Sequence, residues 1–89
     1  MKAYSISYDL LQPGKDYTKL TDALKGLGAV KILYSEWVLK STSSAEQLRN
    51  HLQQFIDEND RLLVAGLTGQ AAWTGLLTTN DGFKQALAS

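Results

Sequence analysis

Residues Lys2–Asp9, KAYSISYD, alternate strictly: Tyr4, Ile6 and Tyr8 on one side, Ala3, Ser5, Ser7 and Asp9 on the other. Side chains of an extended chain point to opposite faces in turn, so this segment predicts a strand with two unlike faces. The bulky row needs a covering layer, and the chain supplies one next. Pro13-Gly14 predicts a turn, and Asp16 is placed to cap a helix. Tyr17, Leu20, Leu24 and Leu27 then recur at helical spacing, with Ala23 beside them, as one apolar stripe. Gly26 and Gly28 predict the end of that helix.

Ala29 to Lys40 is rich in β-formers, among them Val30, Ile32, Tyr34, Trp37 and Val38. It is long for one strand, and its apolar phase slips around Ser35-Glu36, so two short strands with a tight bend are expected. Ser41-Thr42-Ser43-Ser44 is a polar break. Ser43 with Glu46, or Ser44 with Gln47, makes a capping-box pattern. Ala45, Leu48, Leu52, Phe55 and Ile56 predict a second amphipathic helix. After a turn at Asn59-Asp60, Arg61 to Leu67 (RLLVAGL) is apolar on both faces, as a buried strand is.

The order β-α-β-β-α-β predicts an α+β, ferredoxin-like sandwich with both helices on one face of an antiparallel sheet. At 89 residues the chain is one domain, with a core over 1–67 and an extension over 68–89. In the extension, Thr68-Gly69-Gln70 predicts a turn and Ala71 to Leu77 a short helix or an edge strand. Asn80 or Asp81 is expected to cap a last short helix running to Ala88.

In this plan one sheet face meets the helices and the other is bare. One of the two apolar rows of Arg61–Leu67, Leu62/Val64 or Leu63/Ala65/Leu67, then sits in water, which is uncommon on a monomer. A homodimer through the bare sheet face, two-fold and isologous, resolves this. The extension is expected to cross onto the partner chain and extend its sheet.

Composition narrows the chemistry. There is no cysteine and one histidine. Disulfides, cysteine-based zinc sites and multi-histidine metal sites within one chain are therefore excluded. Nine Lys plus Arg balance nine Asp plus Glu, so contact with nucleic acid would need a local basic patch inside a neutral total. No apolar run approaches the ~18 residues of a membrane span. The opening MKAYSISYDLL has no apolar leader core and reads as a strand, not a signal peptide. A cytoplasmic protein with no membrane partner is the expectation.

Asp9 is the most informative residue. One reading makes it a strand-end carboxylate hydrogen-bonded to the following loop. In the other, two Asp9 side chains across a two-fold hold Mg²⁺ or Mn²⁺ with waters, and the metal activates water for phosphodiester attack. Ser5, Ser7 and Ser35 are polar groups near it. Lys15, Lys19 and Lys25 form a basic edge beside Asp9 or a solvated helix face, interrupted by Asp16 and Asp22. Trp37, Trp73 and Tyr34 are candidates to stack on bases; a strand tryptophan such as Trp37 also suits a core, and Trp73 could anchor a partner chain. His51, mid-helix beside the apolar stripe, suits a partly buried position better than a general base.

Taken together, Tyr8-Asp9-Leu10 closing the first strand, a helix ending in glycine, Tyr34-Ser35-Glu36-Trp37 and Asn59-Asp60-Arg61-Leu62 resemble the small CRISPR-associated endoribonuclease family, the non-catalytic partner of the spacer-integration complex. The chain is more similar still to short relatives known as SinR-like proteins. In those an opening like KAYSISYDL and a later LTG-x-AAW stretch recur, matching Lys2–Leu10 and Leu67–Trp73. The resemblance spans about the first three-quarters of the chain. It implies a ferredoxin-like dimer, an architecture the VapD-type ribonucleases share. It also implies a metal-dependent nuclease site at the aspartate closing strand one, here Asp9, facing its mate with a divalent metal between. Ser35 and Trp37 resemble the family's serine and aromatic between the second and third strands. Family members often carry arginines soon after the aspartate, whereas Leu10 to Lys15 offers only the lysine.

Three functions follow as expectations. The first is a CRISPR-associated endoribonuclease-like protein cleaving RNA or DNA at paired Asp9, with Ser7, Lys15, Lys19, Ser35 and Trp37 as contacts. The second is a non-catalytic homodimeric module binding nucleic acid or a protein. The third is a regulatory domain with a small ligand in the dimer groove.

Overall fold

A computed structural model of the chain describes residues 1–11 and 17–87. The turn at Pro13-Gly14, Lys15, the cap at Asp16 and the helix end at Ala88 lie outside the described residues. Four strands, β1 (Lys2–Asp9), β2 (Val30–Leu33), β3 (Glu36–Ser41) and β4 (Arg61–Gly66), alternate with α1 (Thr18–Gly26) and α2 (Ala45–Leu52), and α3 (Asn80–Leu87) follows. A short 3-10 turn, Gln53–Phe55, extends α2. All pairings are antiparallel, in the order β2-β3-β1-β4. This α+β sandwich is compatible with the ferredoxin-like plan.

The alternation of β1 sets the layers. Tyr4, Ile6 and Tyr8 join Leu20 and Leu24 of α1, Leu48 and Leu52 of α2, and Trp37 and Leu39 of β3 in the main core. Of the two apolar rows of β4, Leu62 and Val64 pack against this core. The buried polar tips are paired: Trp37 Nε1 donates to the Tyr8 hydroxyl at 3.0 Å and the Tyr4 hydroxyl to Ser43 O at 2.8 Å.

Local signals set the ends of the elements. Gly28 has φ +78°, and its N–H and that of Ala29 reach Lys25 O and Leu24 O at 3.0 Å each. These are the two bonds of a Schellman stop, which needs a left-handed residue and so favours glycine there. At α2 the capping box belongs to Ser44, not Ser43: Gln47 N donates to Ser44 Oγ at 3.1 Å and Ser44 N to Gln47 Oε1 at 2.8 Å. The expected bend in 29–40 is the two-residue turn Tyr34-Ser35. Neither residue has positive φ, so this is not the primed turn that matches strand twist. The pairing shifts between Lys31 and Leu33 instead, a bulge that absorbs the mismatch.

The second sheet face is not bare. Phe83 and Ala86 of α3 bury against Ile32 and Val38, with Trp73, Leu76 and Leu67 packed around them. The segment expected to cross to a partner lies here on its own sheet. Ala71–Leu77 forms neither helix nor strand. It is held by Leu77 N donating to Ile32 O at 2.9 Å. Trp73 meets Phe83 edge-on at 4.5 Å and donates to Asn80 Oδ1 at 3.1 Å. The β2–β3 half of the face is thus covered by the chain itself, and the apolar argument for a face-to-face dimer keeps only the β1–β4 half. There Leu63 is 58% exposed.

Candidate functional site

Register places Asp9 opposite Arg61 and Ser7 between Glu36 of β3 and Leu63 of β4. Directly opposed residues share a sheet face, so all five project from the second face. They line a shallow cleft of about 270 Å³ with Ser35 at its rim. Tyr8 N donates to Ser35 O at 3.1 Å, which pins the β2–β3 turn to the end of β1. Asp9 Oδ2 lies 3.6 Å from Arg61 Nη1, and the two side chains are 63% and 72% exposed. An ion pair this open is screened by water and contributes little to stability.

Among the described residues Asp9 makes no hydrogen bond to the loop that follows it. Asp60 does: Leu11 N donates to Asp60 Oδ1 at 2.7 Å. Among the described residues the Asp9 carboxylate has Arg61 as its partner, and it faces solvent.

Ser7, Ser35 and Asp9 therefore come together. Lys19 is exposed on α1, in the helix layer on the opposite side of the sheet. Trp37 is 4% exposed in the main core and offers no face for a base, so the expectation that it contacts nucleic acid is corrected. Tyr34 is 83% exposed at the tip of the β2–β3 turn, next to the cleft. His51 is exposed rather than partly buried and meets Phe55 edge-on at 5.5 Å.

Arg61, Glu36 and Leu63 were not singled out from the sequence as site residues. Only the cross-strand register brings them to Asp9, although Arg61 could have been flagged as the charge that opens an otherwise apolar strand. In one chain the cleft holds two carboxylates, Asp9 and Glu36, against one guanidinium. Among the described residues no three His, Asp or Glu side chains converge to hold a metal ion. Mg²⁺ is commonly held by one or two carboxylates with waters and substrate phosphate, so two Asp9 carboxylates from two chains fit its donor chemistry. No family model matches the chain, and no solved structure is a significant match to it.

Proposed function

We propose that the chain is a homodimeric endoribonuclease-like module that cleaves RNA or DNA phosphodiesters at two Asp9 carboxylates facing each other across a two-fold. The observation that carries this reading is the position of Asp9. It closes an inner strand on the open half of the second face, with its side chain 63% exposed among the described residues. A bound Mg²⁺ or Mn²⁺ would supply charge neutralisation and a water of lowered pKa. The chain's own residues do the rest. Asp9 of each copy provides the anionic oxygens. Arg61, 3.6 Å from Asp9, can swing to a phosphate, for which its planar fork is suited. Ser7 and Ser35 offer hydroxyls to non-bridging oxygens, and the exposed ring of Tyr34 offers a stacking surface for a base.

A second reading has its own support. Arg61 neutralises Asp9 within one chain, as a structural pair does, and this favours a non-catalytic homodimeric module that binds nucleic acid or a protein. Purified wild type and Asp9→Ala, incubated in parallel with single- and double-stranded RNA and DNA and Mg²⁺ or Mn²⁺, separate the two. Cleavage by wild type that disappears in Asp9→Ala, with the dimer retained, supports the nuclease. No cleavage by either, with nucleic acid or protein still bound, supports the binding module. A monomeric mass for the active wild type sinks the paired-aspartate site.

A further inference from the structure

The two edges of the sheet differ. The outer edge of β2 is short and bulged, and Ile32 O there accepts from Leu77 N at 2.9 Å. The other edge is β4, which pairs with β1 alone. Leu67 N donates to Ala3 O at 2.9 Å. By antiparallel alternation Arg61, Leu63 and Ala65 therefore turn their N–H and C=O groups toward β1, and Leu62, Val64 and Gly66 turn theirs outward. Among the described residues no backbone hydrogen bond outside the sheet reaches these three. Natural edges are usually blunted by lysine, proline or a bulge. RLLVAG has none of these beyond the terminal Arg61, and its pairing with β1 is regular.

A second feature lies alongside. Between β4 and α2, which packs over it, runs a cleft of about 420 Å³. Ile56 and Leu62 give it an apolar lining, Arg49 and Gln53 come from the helix side, and Glu58 stands in the turn before β4. A bare edge beside a groove under a helix is the arrangement that strand addition uses: the edge supplies backbone hydrogen bonds and the groove reads alternate side chains.

We propose that β4 and this cleft accept an extended strand of a partner protein, added antiparallel to β4. Alternating N–H and C=O groups are matched in full only by another backbone. The residue facing Leu62 points into the cleft and the one facing Val64 lies on the same sheet face, since opposed residues share a face. The partner strand therefore carries an apolar side chain over Ile56 and Leu62. Two positions away, about 7 Å along a strand, it carries a basic side chain toward Glu58. A second copy of β4 does not suit the cleft. It brings its own α2 on the same face, and its Leu62 and Val64 are already packed beneath that helix. The inference is independent of Asp9, whose carboxylate projects from the other face.

The test uses the full chain and the peptide STSTVTKTS, acetylated and amidated: with its Val opposite Leu62, antiparallel pairing puts its Lys two positions on toward Glu58 and its first and third residues opposite Gly66 and Val64. Titration followed by amide NMR should shift Leu62, Val64 and Gly66 together. N-methylation of the peptide at its Val and at the Ser two positions before it removes N–H groups that face Leu62 and Val64 and should weaken binding at least tenfold. Val64→Pro, which deletes an outward N–H and leaves the β1 ladder intact, should do the same. Glu58→Gln should weaken it about threefold, and Asp9→Ala should leave it unchanged. Three results overturn the proposal: no shift of those amides at millimolar peptide, an N-methylated peptide that binds equally well, or a wild-type mass of two chains that falls to one in Val64→Pro. The last would assign the edge to a second copy. If Val64→Pro fails to fold, the N-methylated peptide on wild type decides.

Discussion

The Tyr17 hydroxyl lies 3.0 Å from Asp60 Oδ1 and 2.9 Å from Oδ2, joining residues 43 positions apart. The same carboxylate accepts from Leu11 N at 2.7 Å and from Asp57 N at 2.9 Å. One side chain thus ties the exit of β1, the start of α1 and the turn before β4. These connections meet at the end of the sheet that carries Asp9 and Arg61.

Asp60→Ala should therefore cost far more than a typical loop substitution. Hydrogen bonds to a charged group contribute about 1.5–3 kcal/mol, and the donors left behind lose their acceptor. In a domain of this size each kcal/mol is worth roughly 4–8 °C in Tm, so a drop on the order of 10 °C is expected by calorimetry. Tyr17→Phe removes one donor and should cost about 1 kcal/mol. A Tm for Asp60→Ala within a degree of wild type would show that the carboxylate fastens nothing.

This staple also marks where the sequence stops being legible. Local signals carried the strands and helices: the alternation at Tyr4, Ile6 and Tyr8, the Ser44–Gln47 box, and the phase slip that became the Tyr34-Ser35 turn. Asp60 read only as a turn residue because its partners Tyr17 and Leu11 lie more than 40 positions away. Within the extension the expected last helix forms as α3, whereas the expectation for Ala71–Leu77 failed for the same reason. Ala71–Leu77 has enough apolar residues for a helix or an edge strand, yet its shape is set by where Trp73 and Leu76 can reach the sheet. At the site, Asp9 was found from its place at the strand end, whereas Arg61 and Glu36 needed the register.

In the main core, Trp37 Nε1 has the Tyr8 hydroxyl as its acceptor at 3.0 Å. Tyr8→Phe keeps the ring and leaves a buried N–H without a partner. The expected loss is about 1–3 kcal/mol, read from urea midpoints with an unchanged m-value. A near-neutral result would mean that water reaches the indole, and Trp37 fluorescence should then shift to the red.

Ser44→Ala removes the acceptor for Gln47 N and breaks the box that starts α2. Such caps contribute about 0.5–2 kcal/mol. Ser43→Ala should do almost nothing by comparison, because the Ser43 contact with the Tyr4 hydroxyl is made by its backbone oxygen. Urea unfolding of the two variants side by side checks the assignment, and equal losses would contradict it.

Phe83 anchors α3 on the second face, against Ile32, Val38 and the edge of Trp73. Phe83→Ala should cost about 3–5 kcal/mol if the whole fold feels it. A more local outcome is expected from the way stability is distributed. Residues 68–87 hold the sheet through this cluster and the Leu77 N–Ile32 O bond, so they can detach while the core around Ile6 and Leu24 persists. Hydrogen exchange should then rise sharply at Leu77 and along α3 and stay slow in β1. Uniform acceleration across the chain would instead make α3 part of a single cooperative unit.

Arg61 separates the chemistry of the cleft from its structure. Its guanidinium is 72% exposed and meets Asp9 at 3.6 Å, so Arg61→Ala should change stability by less than about 1 kcal/mol. If Asp9 pairs across a two-fold to cleave phosphodiesters, the same variant loses the cation nearest the substrate phosphate. Cleavage should then fall at least tenfold. Arg61→Lys should restore part of it, since charge returns without the bidentate fork. If Arg61 serves only to neutralise Asp9, the opposite is expected: Arg61→Ala leaves two unscreened carboxylates to meet, and the dimer weakens as salt is lowered, because repulsion grows with Debye length. Cleavage rate and dimer mass, measured on the three variants at two ionic strengths, distinguish a guanidinium that faces substrate from one that faces only its own chain.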